Sequence, residues 1–271
     1  MGTHKGVFVM EFIYAVKTDD ELKRYREYAD AIHDVFNDYI NFLKKEYSVL
    51  ELPKSIVLTD MDIATKLTND IPVPAYTNEH RTMFCPDIEV WRKIYLSQLD
   101  SYRSIPEFGK AVDEISAYYE NELSQKNILA ILGHELAHHS ELFLDDFSSD
   151  RSDGVWFEEG MVEYISRRYF LNEKEFAAQR HINKMLIQLY KAKYGCASIE
   201  SFGSSTYTED FSGIFFEYWR SFEAVASVID AFGSDIGAVF KSYAEWGEDP
   251  CGKSLSEWFN IPDECCSPAS L

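Results

Sequence analysis

Positive charge is scarce in this 271-residue chain: 26 lysines and arginines stand against 46 aspartates and glutamates, a formal net charge of −20. A phosphate backbone or an anionic membrane surface is repelled by that balance, which excludes nucleic acid as a partner. A cationic peptide would be attracted, although the same charge also serves solubility alone. Long hydrophobic runs are missing too, and none approaches the ~18 residues that a membrane span needs. The apolar stretch at residues 6–16 is interrupted by Glu11 and followed by no cleavage-site pattern, so it predicts a strand and not a signal peptide. Met1 and Met10 both qualify as the native start. Cysteine is sparse: Cys85, Cys196, Cys251, Cys265 and Cys266 are odd in number and form no C-x-x-C. All five cannot pair within one chain, which points to reduced thiols in a cytoplasmic protein. Cys251, Cys265 and Cys266 fit no usual zinc-ligand spacing. Internal repeats and low-complexity linkers are also lacking.

Apolar residues are plentiful at 46%, with 17 Tyr, 19 Phe and 5 Trp, enough for a well-packed core in one large domain or two coupled lobes. The chain reads as α+β. A strand is expected over 7–16. Thr18 with Glu21 forms a capping box for a long amphipathic helix to about Tyr47. Short strands are expected at 55–58, 71–76 and 82–85, with a helical turn at 61–67. Pro72 and Pro74 suit an edge strand, because proline cannot donate to a central ladder. An exposed edge in residues 71–85 would let an extended peptide add as a further strand. Helices are expected at 87–99, 106–123, from Ser124 to near Phe143, from Val155, and over 173–194, 208–232, 235–246 and 255–259. The composition changes once, from mixed α/β in residues 1–123 to all-α in 124–271. The expectation is a continuous two-lobed unit with a buried helix at the seam.

That seam helix carries His134-Glu135-Leu136-Ala137-His138, an H-E-x-x-H motif. Residues i and i+4 share a helix face, so both imidazoles can reach one divalent metal. Glu135 is rotated about 100° around the axis, off the metal but near a water bound to it, the place of a general base. A third ligand must come from elsewhere. Trp156-Phe157-Glu158-Glu159-Gly160-Met161-Val162-Glu163-Tyr164 offers Glu159 and Glu163 on one face, with Gly160 allowing a close helix approach. Glu158 would either compete for the metal or sit exposed. His139 points to another face and reads as half-exposed, and His33 as a surface residue. His80 and His181 are the other histidines able to approach a cleft. Trp156, Tyr164 and the Phe215-Phe216 pair read as core.

His134-Glu135-x-x-His138, twenty residues, then Trp156-x-x-Glu159-Gly160-x-x-x-Tyr164 resembles the gluzincin metallopeptidases of clan MA, which include the thermolysin and aminopeptidase N families. The resemblance covers residues 124–216. It implies a zincin-like catalytic domain with zinc held by His134, His138 and Glu159, and Glu163 behind His134 as its hydrogen-bonding partner. It also implies an oxyanion-stabilising Tyr ahead of a small-residue and aromatic run, a place that Tyr207 fills, with Tyr164 and Tyr194 as weaker candidates. The chain departs from the aminopeptidases in having Glu158 where Asn is usual and in lacking a G-A-M-E-N segment. No third histidine follows at metzincin spacing. The implied function is zinc-dependent hydrolysis of peptide bonds by a metal-activated water, with Glu135 as general base and a peptide or protein as substrate. The alternative is a catalytically inactive, zinc-stabilised binding or regulatory protein with the same fold. Oligomeric state has no signature in the sequence.

Overall fold

The computed structural model describes residues 10–67, 73–145, 147, 153–195, 197–203, 206 and 211–262. Strand β1 (Glu11–Ala15) leads into the long helix α1 (Asp19–Glu46). The Glu21 N–H donates to Thr18 Oγ1 (3.2 Å) and the Thr18 N–H donates to Glu21 Oε2 (3.1 Å), the expected capping box. Acidic residues fill the first turn of α1 and Lys44 and Lys45 the last, which complements the helix dipole. Strand β2 (Ser55–Thr59), helix α2 (Met61–Leu67), strand β3 (Ala75–Thr77) and strand β4 (Arg81–Phe84) follow.

The sheet order is β1-β2-β4-β3. β1, β2 and β4 run parallel, and β3 pairs antiparallel with β4 as an edge strand. Ile56, Leu58 and Thr59 of central β2 are fully buried, as a strand covered on both faces requires. Pro74 directly precedes β3, and its carbonyl accepts from the Cys85 N–H (3.0 Å), a ladder bond that asks nothing of the missing proline donor. Pro72 lies outside the described residues.

Beyond the sheet the chain is helical: α3 (Ile88–Ser97), α4 (Gly109–Asn121), α5 (Gln125–Ala137), α6 (Val155–Phe170), α7 (Glu173–Tyr194), α8 (Phe211–Ala231), α9 (Ile236–Glu248) and α10 (Leu255–Trp258). The fold is therefore α+β with a small mixed sheet. The motif helix α5 stops six residues short of Phe143, where periodicity alone would end it. Its last bonds tighten to i→i+3 (His139 N–H to Leu136 O, 3.2 Å; Ser140 N–H to Ala137 O, 3.1 Å). Ser140 Oγ then donates to the Tyr47 carbonyl (2.6 Å) and accepts from the Leu142 N–H (3.2 Å), turning the chain away. His138 occupies the cap with helical angles (φ −58°, ψ −19°), so it keeps the face it shares with His134.

One apolar core runs through both halves of the chain. Tyr39 of α1 donates to the Gly133 carbonyl of α5 (2.9 Å), and its ring packs on Phe170 of α6 (4.8 Å). Phe157 of α6 stacks on Tyr243 of α9 (4.4 Å). α6 and α8 approach closely at Gly160, where an added Cβ would lie 2.3 Å from the Ser221 carbonyl oxygen. No helix among the described residues is long and apolar enough to cross a membrane.

Candidate metal centre

α5 and α6 bring three ligand-type side chains to one point. His134 Nε2 lies 3.2 Å from His138 Nε2 and 3.2 Å from Glu159 Oε2, and His138 Nε2 lies 3.5 Å from the same oxygen. Tetrahedral zinc with bonds of about 2.0–2.1 Å requires its ligand atoms to stand about 3.3 Å apart, so this triangle has the edges of a zinc tetrahedron. All three residues are shielded, with His134 and Glu159 buried. Among the described residues this is the only His/Cys/Asp/Glu group able to hold a metal ion. The donor set, two imidazoles and one carboxylate, suits zinc and leaves a fourth position for water or substrate.

The electrostatics follow from packing. Burial pushes His134 toward the neutral form, but Glu159 and Glu163 overcome this and hold its pKa well above the usual histidine range. Burial also opposes ionisation of Glu159, yet His138 and His134 keep its carboxyl well below the usual range. His134 Nδ1 lies 3.4 Å from Glu163 Oε1, and Glu163 Oε2 takes Arg167 Nη2 at 2.6 Å. A carboxylate on the Nδ1 side favours the tautomer that turns the Nε2 lone pair toward the ligand triangle. Glu159, Glu163 and Arg167 thus form one stripe along α6 at helical spacing.

Glu135 is buried, lines the same cleft and is not a member of the triangle. Burial raises its carboxyl to about 7, with Glu159 and Glu163 adding and the two histidines opposing. The cleft has a volume of about 340 Å³. Its other walls include Thr77 on the sheet edge, Trp91 and Tyr95 on α3, and Phe215 and Tyr218 on α8. The Asn78 N–H donates to the Arg81 carbonyl (3.0 Å) and the Cys85 N–H to Pro74, so alternate residues spend their backbone groups on β4. Ala75 and Thr77, which line the cleft, turn theirs outward from the sheet.

One side chain differs from its sequence reading, and others gain contacts that the sequence does not show. Glu158 neither competes for the metal nor sits exposed: it is buried, and its Oε1 accepts from the Tyr243 hydroxyl and the Asp145 N–H (3.3 Å). His139 faces the sheet edge, with Nε2 3.0 Å from Thr77 Oγ1, which in turn meets Thr82 Oγ1 at 2.9 Å. Burial lowers its pKa to about 4. Phe215 and Phe216 both belong to the core as read from sequence, and Phe215 also lines the cleft. Tyr218 was not singled out by sequence. It lines the cleft with its ring 5.8 Å from that of His134, and its only sequence signal is seven-residue spacing from Phe211 along one helix face.

His181 is spent on Glu114 at the surface (2.9 Å), and His80 and His33 are exposed away from the cleft. Tyr164 packs on Phe176, Tyr194 stacks on Tyr190, and Trp156 is fully buried. Tyr207, Cys196, Cys265 and Cys266 lie outside the described residues, whereas Cys85 and Cys251 are free thiols. Compared with known proteins, the chain matches no family model, no curated protein and no solved structure.

Proposed function

We propose that the chain is a zinc-dependent peptidase of gluzincin type, built on a zincin-like catalytic domain. One observation carries the reading. His134, His138 and Glu159 converge to ligand separations of 3.2–3.5 Å while Glu135 stays out of that triangle and in the same cleft. Zinc held by those three residues would supply Lewis acidity, polarising a scissile carbonyl and lowering the pKa of water toward 7. Glu135 is the proton carrier. Its burial makes the carboxylate a stronger base than an exposed one, so it takes a proton from the attacking water and passes it to the leaving amine. Glu163 and Arg167 hold the His134 ring in place. The outward backbone of Ala75 and Thr77 gives an extended peptide a ladder to join, with apolar side chains of α3 and α8 opposite.

The test is metal analysis joined to a peptide-library cleavage screen, run on the wild type and on Glu135→Gln. The expected result is one zinc per chain in both proteins and cleavage in the wild type alone. Full activity in Glu135→Gln refutes the mechanism. Bound zinc without cleavage of any peptide leaves the zinc-stabilised binding protein, and cleavage of a different bond in mixed substrates leaves a hydrolase of another class.

A further inference from the structure

A second cavity, of about 700 Å³, lies apart from the metal cleft. Among the described residues none lines both. Its two long walls follow from helical spacing. Lys184, Ile187, Gln188 and Lys191 stand at i, i+3, i+4 and i+7 on α7, and Arg220, Glu223, Ala224 and Ser227 repeat that spacing on α8. Residues 198–200 and the start of α10 add to the lining. The volume is that of a small-molecule site.

Glu223 is the residue that asks for a ligand. It is only 8% exposed. Arg180 places two hydrogen bonds on its Oε2 (Nε 3.3 Å, Nη2 3.2 Å), and Lys184 Nζ approaches the same oxygen at 3.8 Å. Oε1 is buried and has no hydrogen-bond partner among the described residues. A buried acceptor left unmatched costs free energy that an arriving donor recovers, and a charged donor recovers most. The other two acids of the lining are already engaged. Glu200 Oε1 accepts from the Ser256 N–H (2.6 Å), and Glu257 Oε2 accepts from the Ser254 N–H (2.9 Å).

Lys184 offers the complementary charge. Its side chain is 58% exposed, and its 3.8 Å approach to Glu223 is too long for a hydrogen bond. Across the lining as a whole, Lys184, Lys191 and Arg220 balance Glu200, Glu223 and Glu257, in a chain of net charge −20. A lone anion or a lone cation would meet as many like charges as opposite ones. A molecule with an ammonium and a carboxylate on one carbon matches Glu223 and Lys184 together. Ile187, Ile199 and Ile261 supply apolar wall for its side chain.

We propose that this cavity binds a free α-amino acid with an apolar side chain, its ammonium on Glu223 Oε1 and its carboxylate on Lys184. Binding here does not depend on the peptidase reading. Isothermal titration calorimetry on the full chain, with and without a zinc chelator, tests it with four compounds: leucine, leucinol without the carboxylate, 4-methylpentanoate without the ammonium, and glucose. Leucine should bind equally in both conditions. Leucinol and 4-methylpentanoate should each bind about tenfold or more weakly, the scale of one charge-assisted hydrogen bond, and glucose weaker still. Glu223→Gln should abolish the preference for leucine over 4-methylpentanoate, and Lys184→Met the preference for leucine over leucinol. Lys184 is exposed, so that variant remains readable where Glu223→Gln, which loses its charge beside Arg180, folds poorly. The proposal is overturned by no binding of leucine, by equal binding of any other compound, or by preferences that survive the substitutions. Leucine binding that vanishes with the chelator also overturns it, because the ligand then sits in the metal cleft.

Discussion

Replacing Gly160 by alanine sets two effects of opposite sign against each other. In an open helix the change stabilises by about 1 kcal/mol, because glycine is the poorer helix former. At Gly160 the new Cβ would lie 2.3 Å from the Ser221 carbonyl oxygen, 2.6 Å from its carbon and 2.7 Å from Val225 Cγ2. The first two atoms are backbone and cannot rotate aside, so α8 must retreat by about 0.7 Å or more to relieve the contact. Overpacking of this kind costs about 1–3 kcal/mol, and more where backbone is the obstacle, so the steric effect wins. The expected net loss is about 1–2 kcal/mol, seen as a fall of roughly 2–8 °C in Tm for the metal-free protein. Glu159 is the adjacent residue, so zinc affinity falls in the same variant. Thermal unfolding and a zinc competition titration read both. Two other glycines calibrate the argument. Gly109→Ala meets nothing within 4 Å and should stabilise. Gly247→Ala meets the terminal carbons of Leu144, a side chain that can turn, and should cost less than Gly160→Ala. A Gly160→Ala protein at least as stable as the wild type would refute the close-approach reasoning.

Glu163→Gln should weaken zinc binding by about 10–100-fold while keeping the ligand set intact, measured by competition with a chelator. In the metal-free protein the raised His134 pKa means that a proton occupies the site at neutral pH and must leave as metal enters. Zinc affinity should therefore keep rising, about tenfold per pH unit, above the ordinary histidine pKa near 6.5. An affinity that is flat above pH 7 would contradict this. The stability linkage has the sign of a raised pKa: the contribution of His134 to the metal-free fold is complete below about 6.5 and is lost as pH rises through the folded value. His139→Ala should free the sheet edge by breaking the link to Thr77, with faster amide exchange in β3 and a higher KM at near-constant kcat. His139→Gln should restore part of the protection.

Much of this architecture is legible in the chain because its signals are local. Thr18 and Glu21 mark the start of α1 three residues apart, and the predicted bounds 173–194 for α7 coincide with those observed. His134 and His138 share a face by helix geometry alone. The order of the edge region was also readable, since Pro74 has no amide hydrogen for a ladder and β3 is indeed the outer strand. The end of α5 was not, because its stop depends on Ser140 reaching the Tyr47 carbonyl 93 positions away.

The same distinction explains which site residues were missed. Glu158 looks like a surplus acid beside a ligand until Tyr243, 85 positions later, is seen clamping one oxygen. His139 is half-buried, much as its place on the helix suggests, but Thr77, 62 positions earlier, lies against its ring, a contact that the sequence does not show. Periodicity states which side chains of a helix share a face but not what that face meets. On α8 the adjacent Phe215 and Phe216 are both core, but only Phe215 also reaches the cleft, and Tyr218 comes to stand beside His134. The motif therefore marks two of the three candidate ligands from sequence, because one helix supplies the geometry of His134 and His138, whereas Glu159 comes from a second helix. The other walls of the cleft belong to other elements, and they exist only once α3, α8 and the sheet edge have packed around the motif. Under the proposed function, changes at Thr77 and Tyr218 should accordingly alter substrate preference more than zinc content, whereas changes at His134, His138 and Glu159 should abolish zinc binding.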